Sequence, residues 1–307
     1  MKMGHSKIGI GSLLFSAAIC MGCRDGRNVL KFEPDHISTA SVEYSSTFSP
    51  TGEELYFARS DQEWGSAGMK STIYRAVKRN GKWSTPKIVS FSGEFEDSDP
   101  HLSGDGKTLY FISNRPGADP TVPVSADIWM AKREPNGAWG TPTALPYPLN
   151  SEHTEYSPRT DGRGNLYFAS DRPGGLGQGD LYVSPFKNGK LGAPLNMGHT
   201  LNSATGEWNL GINDKGDLLI FEASQRKENV SSYGDLYISF KEGDHWTVPQ
   251  NMVELNTSGS DLYPYLTHDG KHLYFTSSDS LKGKSANIYV VDFEGLYRRY
   301  KQRSKTP

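Results

Sequence analysis

DGKTLYFISNRPG, residues 105–117, reads as a short β-strand, LYFIS, held between two turns. The chain writes the phrase again as SPTGEELYFARSD at 49–61, TDGRGNLYFASDRPGG at 160–175, NDKGDLLIFEASQR at 213–226 and HDGKHLYFTSSDS at 268–280. The central aromatic falls at Phe57, Phe111, Phe168, Phe221 and Phe275, with spacings of 54, 57, 53 and 54 residues. A period this long and regular, without helical periodicity, predicts stacked all-β units.

Each unit reads as four strands. The first precedes the turn, as at 100–103. The second is the LYF run, apolar on consecutive residues because both faces of its sheet are covered. The third is DIW at 127–129, DLY at 180–182 and DLY at 235–237, with TIY at 72–74 and NIY at 287–289 as variants. The fourth surrounds GKWSTP at 81–86, GAWGTP at 137–142 and DHWTVP at 244–249, with GKLGAP at 189–194 lacking the Trp. Four-stranded antiparallel units repeated about an axis are propeller blades. The fifth unit lacks a W-x-x-P phrase and ends in EGLYRRYKQRSKTP, 294–307, whereas VLKFEPDHIST, 29–39, precedes the first unit. The predicted fold is therefore an all-β propeller of five four-stranded blades, the last completed by the N-terminal strand; a six-bladed ring would need a degenerate sixth repeat. The domain reading is a signal peptide at 1–22, an anchor linker and latch strand at 23–40, the propeller at 41–299 and a polar tail at 300–307.

SGDGKTLYFISNRPG with ADIW and GAWGTP downstream resembles the PD40, or WD40-like, repeat of TolB-type β-propellers over about residues 40–293. The resemblance is weakest in unit four, where Asn213-Asp214-Lys215-Gly216 replaces the turn and Glu222-Ala223-Ser224-Gln225-Arg226 replaces SNR. It implies a propeller used as an interaction platform at a bacterial envelope, and no reaction.

MKMGHSKIGIGSLLFSAAICMGC, 1–23, has the layout of an export signal: Lys2 and Lys7, then an apolar run. Gly22-Cys23 resembles a bacterial lipoprotein cleavage site, with Cys20 at −3 a departure from the usual aliphatic residue. The implied destination is the cell envelope, an outer-membrane lipoprotein facing periplasm or cell surface, monomeric and attached to the membrane through a lipid on Cys23. Both cysteines of the chain lie here, so the remainder has neither a disulfide nor a cysteine nucleophile. A net charge of −2 offers no basic excess for a phosphate backbone, so nucleic acid is not an expected partner.

The chain contains no G-x-S-x-G, H-E-x-x-H or P-loop motif, and no G-x-G-x-x-G after a strand, so neither cofactor nor metal is implied. His268 and His272 bracket a turn and read as solvated; GGLGQGD, 174–180, reads as a flexible hairpin. One constellation recurs. An acid stands thirteen or fourteen residues before each LYF Phe: Glu43, Asp97, Glu155, Glu207 and Asp261. A base follows the strand in four units: Arg59, Arg115, Arg172 and Arg226. With Asp127, Asp180 and Asp235 at the head of the third strands, these residues predict a circle of charges at one mouth of the ring. The acids read as structural, and the arginines with the three aspartates as a candidate binding face shared with the loops after the second strands. The functional expectation is a non-catalytic platform for an envelope protein, peptide or glycan. The alternative is a hydrolase, for which Glu152 and Glu254 are the candidate channel carboxylates.

Overall fold

The structure, a computed structural model, describes residues 28–63, 66–117, 125–278 and 285–305. Cys20 and Cys23, which figure in the sequence reading, lie outside the described residues, as do parts of the loops after the second strands. The chain forms five antiparallel blades. Their first three strands are Val42–Phe48, Glu54–Ser60 and Ser71–Arg79 in blade 1, and Asp97–Leu102, Thr108–Ser113 and Asp127–Lys132 in blade 2. Blade 3 uses Glu155–Thr160, Leu166–Ser170 and Asp180–Ser184; blade 4 Gly206–Ile212, Leu218–Ser224 and Asp235–Glu242; blade 5 Asp261–Leu266, His272–Ser277 and Asn287–Asp292. The inner strands of successive blades touch, and the fifth meets the first, so the ring is closed.

Phe57, Phe111, Phe168, Phe221 and Phe275 are each fully buried, which explains the repeated LYF: both faces of every second strand are covered. The W-x-x-P phrase is a turn and not the outer strand itself. Lys82–Trp83 folds back on the end of the third strand, and the outer strand Lys87–Ile88 follows the proline to pair with Tyr74 and Arg75. Thr143–Ala144, Leu195–Asn196 and Gln250–Asn251 are its counterparts.

Blade 5 takes its outer strand from the other end of the chain. Leu30 pairs with Val290 and Lys31 with Tyr289, antiparallel, and the Phe32 N–H donates to the Ile288 carbonyl at 2.8 Å. Val29, Phe32 and Ile37 are buried beside this latch. Each such side chain contributes about 1.5–3 kcal/mol through burial.

The C-terminus departs from the expected polar tail. Glu294–Arg303 is a helix with an acid in its first turn and bases in its last, matching the helix dipole. Leu296 and Tyr300, four residues apart on one face, are buried against blades 4 and 5, and the Tyr300 hydroxyl donates to Glu254.

Candidate active site on the propeller axis

The predicted circle of charges forms, and it is consumed within the blades. Arg59 meets Glu43 at 2.9 Å, Arg115 meets Asp97 at 2.6 Å, and Arg172 meets Glu155 and Arg226 meets Glu207 at 2.8 Å each. All four acids are buried, and the arginine side chains are only 9–22% exposed. Each guanidinium also donates to carbonyls of the segment entering its blade: Ile37, Phe91, Pro148 with Leu149, and Leu201. Each lies over the aromatic pair behind it, for example Arg226 over Phe221 and Tyr237. Asp261 in blade 5 accepts from Thr257 and Ser277.

The aspartates of the third strands are likewise occupied. Asp180 accepts from the Leu176 and Gly177 N–H groups and from Asn196, and Asp235 from Val230, Ser231 and Asn251. Asp127, half-buried, accepts from Ser125. Within the fold these charges hold strand ends and loops together. Glu152 is exposed at the surface and Glu254 is bound to Tyr300, so neither serves the channel. His268 is not a solvated turn residue either; its Nδ1 meets the Asp214 carboxylate at 2.9 Å across blades 5 and 4.

A second ring of residues lies deeper. Every inner strand carries a register shift, between Tyr44 and Thr47, Ser98 and His101, Tyr156 and Arg159, Glu207 and Leu210, and Leu262 and Tyr265. The bulged residues Ser45, Asp99, Ser157 and Tyr263 have φ of 50°, 52°, 49° and 52°, left-handed values that cost non-glycine residues about 1–3 kcal/mol. Pro100, Pro158 and Pro264 follow three of them and remove an N–H that the broken ladder would leave unpaired. Bulges re-aim side chains, and these bring one chemically distinct group from each blade to the axis.

The cross-axis contacts identify that meeting. Arg159 of blade 3, 1% exposed, donates to Ser45 of blade 1 at 3.3 Å, passing over blade 2. The Asp99 carboxylate of blade 2 accepts from the Ser157 N–H at 3.0 Å, and its other oxygen is buried without a partner. Glu222, on the second strand of blade 4 and 6% exposed, accepts from Asn209. Burial pushes the Asp99 carboxyl up to about 6, with Arg159 and the Ser157 N–H opposing. Burial pushes Glu222 up to about 8; Asn209 opposes, and the charge of Asp99 across the axis adds to the rise. Burial lowers Arg159 to about 10, so it stays cationic at neutral pH, with Asp99, Tyr263 and Tyr265 opposing. Tyr44, from blade 1, and Tyr263, from blade 5, are both raised by burial and by Asp99. One carboxyl protonated at pH 7, one ionised, and a cation near the ionised one can carry out acid–base chemistry.

These groups break the fivefold repeat. The position of Asp99 is Ser45, Ser157, Asn209 and Tyr263 in the other blades, that of Arg159 is Thr47, His101, Gly211 and Tyr265, and that of Glu222 is Ala58, Ile112, Ala169 and Thr276. Superposing the five units would have found all three; Glu222 stands where the repeat match is weakest. A surface cavity of about 990 Å³ between blades 2 and 3, at the opposite mouth, touches none of them. Among the described residues no group of three or more His, Cys, Asp or Glu side chains could hold a metal ion.

No family model matches this sequence, and no curated protein is similar to it. Among solved structures the fold is similar to an α-L-arabinofuranosidase from Lactobacillus brevis, at 12% identity and a TM-score of 0.52 over 81% of this chain and 90% of that one. It is also similar to a thermostable family-43 glycoside hydrolase, at 10% identity and a TM-score of 0.51 over 81% and 89%. The chain spans 34% of the length of a Mycobacterium tuberculosis puromycin-hydrolysing peptidase, at 14% identity over 77% of this chain and a TM-score of 0.44. At these identities the likeness is one of fold. The expectation of a non-catalytic platform, and of a protein that is not an enzyme, is corrected on this site: the arabinofuranosidase and the family-43 enzyme show that a ring of this fold can serve hydrolysis, and this ring holds blade-specific buried carboxyls, Asp99 and Glu222, in place of the Glu152 and Glu254 that the sequence offered.

Proposed function

We propose that the protein is a hydrolytic propeller that cleaves a glycosidic bond with Glu222 and Asp99. The observation that carries this reading is the pair itself: two buried carboxyls, each unique to its blade, coupled across the axis and pushed to about 8 and about 6. Glu222, protonated at neutral pH, would give its proton to the leaving oxygen. Asp99, ionised there, would act as base or nucleophile, and Arg159 would offset its charge. Hydrolysis of a panel of aryl glycosides and polysaccharides tests the proposal. Glu222→Gln and Asp99→Asn should each lower kcat by roughly 10²–10⁴-fold with the circular dichroism unchanged. Wild-type inactivity across the panel, or full activity in both variants, would refute it.

We also infer that the ring belongs with the PD40-type propellers of the bacterial envelope and is tethered there by a lipid on Cys23. The repeat phrases and the layout of residues 1–23 support this. The mature protein should partition into detergent, and Cys23→Ala should release it; a mature N-terminus elsewhere without an acyl chain, by mass spectrometry, would contradict it.

A further inference from the structure

Trp208 follows the buried acid Glu207 and precedes Asn209, the residue that holds Glu222. It belongs to none of the apolar clusters that fill the blade interfaces and is half-buried at the mouth nearest the two carboxyls. Its indole rests on a bed of two glycines. A Cβ on Gly179 would come within 2.4 Å of the ring and one on Gly206 within 2.6 Å. The two glycines are partners in a parallel bridge, so their missing side chains would project to the same side, and the ring lies over both.

GGLGQGD, 174–180, is accordingly not a flexible hairpin. The Gln178 N–H donates to the Thr205 carbonyl at 2.6 Å, and Gly179 accepts from the Glu207 N–H at 2.9 Å, which locks the segment under the indole. Tyr156 of blade 3 stands edge-on at 5.3 Å between centroids, and the Trp208 Nε1–H donates to Ser224 Oγ at 3.4 Å. The phenol of Tyr156 is raised by burial, with Asp99 among the charges that add to it, which links this wall to the axial pair. The equivalent positions hold Tyr44, Ser98, Tyr156 and Leu262, so the indole is another break in the repeat.

Resting on the proposed glycosidase reading, we infer that Trp208 is a sugar-stacking platform that positions a substrate ring over Asp99 and Glu222. The face of an indole is electron-rich and meets the weakly positive C–H bonds of a sugar's apolar face, while backbone beneath the ring fixes its tilt in advance. Trp208 is thus a positioning residue, and the substrate class is an oligosaccharide that presents the apolar face of a sugar ring.

The test uses the full chain with arabino-, xylo- and gluco-configured oligosaccharides of two to five units, and binding is followed by intrinsic fluorescence in a Glu222→Gln background. Trp208→Ala should raise KM by roughly threefold to tenfold with kcat nearly unchanged, and Trp208→Phe should restore most of the loss. Equal KM in wild type and Trp208→Ala, with hydrolysis intact, overturns the platform and leaves the glycosidase reading standing. Oligosaccharide binding that quenches Trp208 without hydrolysis in the wild type keeps the platform and removes the glycosidase reading. Absence of both binding and hydrolysis overturns both. Should Trp208→Ala not fold, Trp208→Leu, which fills the seat without a ring, decides by the same KM comparison.

Discussion

At Glu222 a carboxyl sits where four blades keep Ala, Ile, Ala and Thr, and the ring tolerates it by leaving it protonated. Its ordinary value is 4.5, and in the fold it titrates near 8. Between those values the folded state holds a proton that the unfolded chain has lost, so stability falls as pH rises through this window. A tenfold change in proton affinity between the two states corresponds to about 1.4 kcal/mol of stability. Glu222→Gln keeps the shape and the contact with Asn209 but removes the titration. Its melting temperature should exceed that of the wild type by several degrees at pH 8, with the gap closing by pH 5. A constant difference between the two proteins over that range would show that Glu222 titrates normally. Asp99 shifts in the same direction, from 3.8 to about 6, and its unpaired oxygen marks where a proton or substrate can be received.

Within each blade the ion pair at the mouth is a structural device. Arg172 ties Glu155 to the carbonyls of Pro148 and Leu149, so it fastens the second strand to the chain entering from blade 2. Removing one partner leaves a buried charge, which costs about 3–5 kcal/mol. Arg115→Glu with Arg172→Glu should therefore collapse the near-ultraviolet circular dichroism; a folded double variant would show that these pairs are dispensable. Strand order and the latch were legible because hydrophobic period and turn chemistry are local signals. Other repeated devices passed unread: Leu149-Asn150-Ser151, Leu201-Asn202-Ser203 and Leu255-Asn256-Thr257 share a role. Each Asn bonds both the N–H and the C=O of a third-strand residue: Ile128, Leu181 or Leu236. The next hydroxyl donates to the acid of the following blade, Glu155, Glu207 or Asp261. The axial site stayed hidden for a different reason. Asp99, Arg159 and Glu222 span 123 residues and lie on three successive blades that come together only by tertiary packing, so no local spacing announces them.

On the scale of the whole molecule, closure makes both the stability and the site. Deleting residues 28–40 strips Val29, Phe32 and Ile37 from the core and opens the edge of blade 5. At about 1.5–3 kcal/mol for each side chain, the loss rivals the total stability of a domain. The deletion should unfold the protein or cause it to aggregate at 37 °C, whereas truncation after Arg303, which spares Leu296 and Tyr300, should leave the melting temperature within a few degrees. Equal effects of the two truncations would deny the latch its role. Five similar blades build a rigid ring, and departures from similarity at its axis supply the chemistry. The pH dependence of kcat/KM on a cleavable glycoside tests this most directly. Asp99 must be ionised and Glu222 protonated, so the rate should rise through about pH 6, fall through about pH 8, and lose its alkaline limb in Glu222→Gln. A profile flat from pH 5 to 9, or one unchanged by Glu222→Gln, would contradict a catalytic pair on the axis.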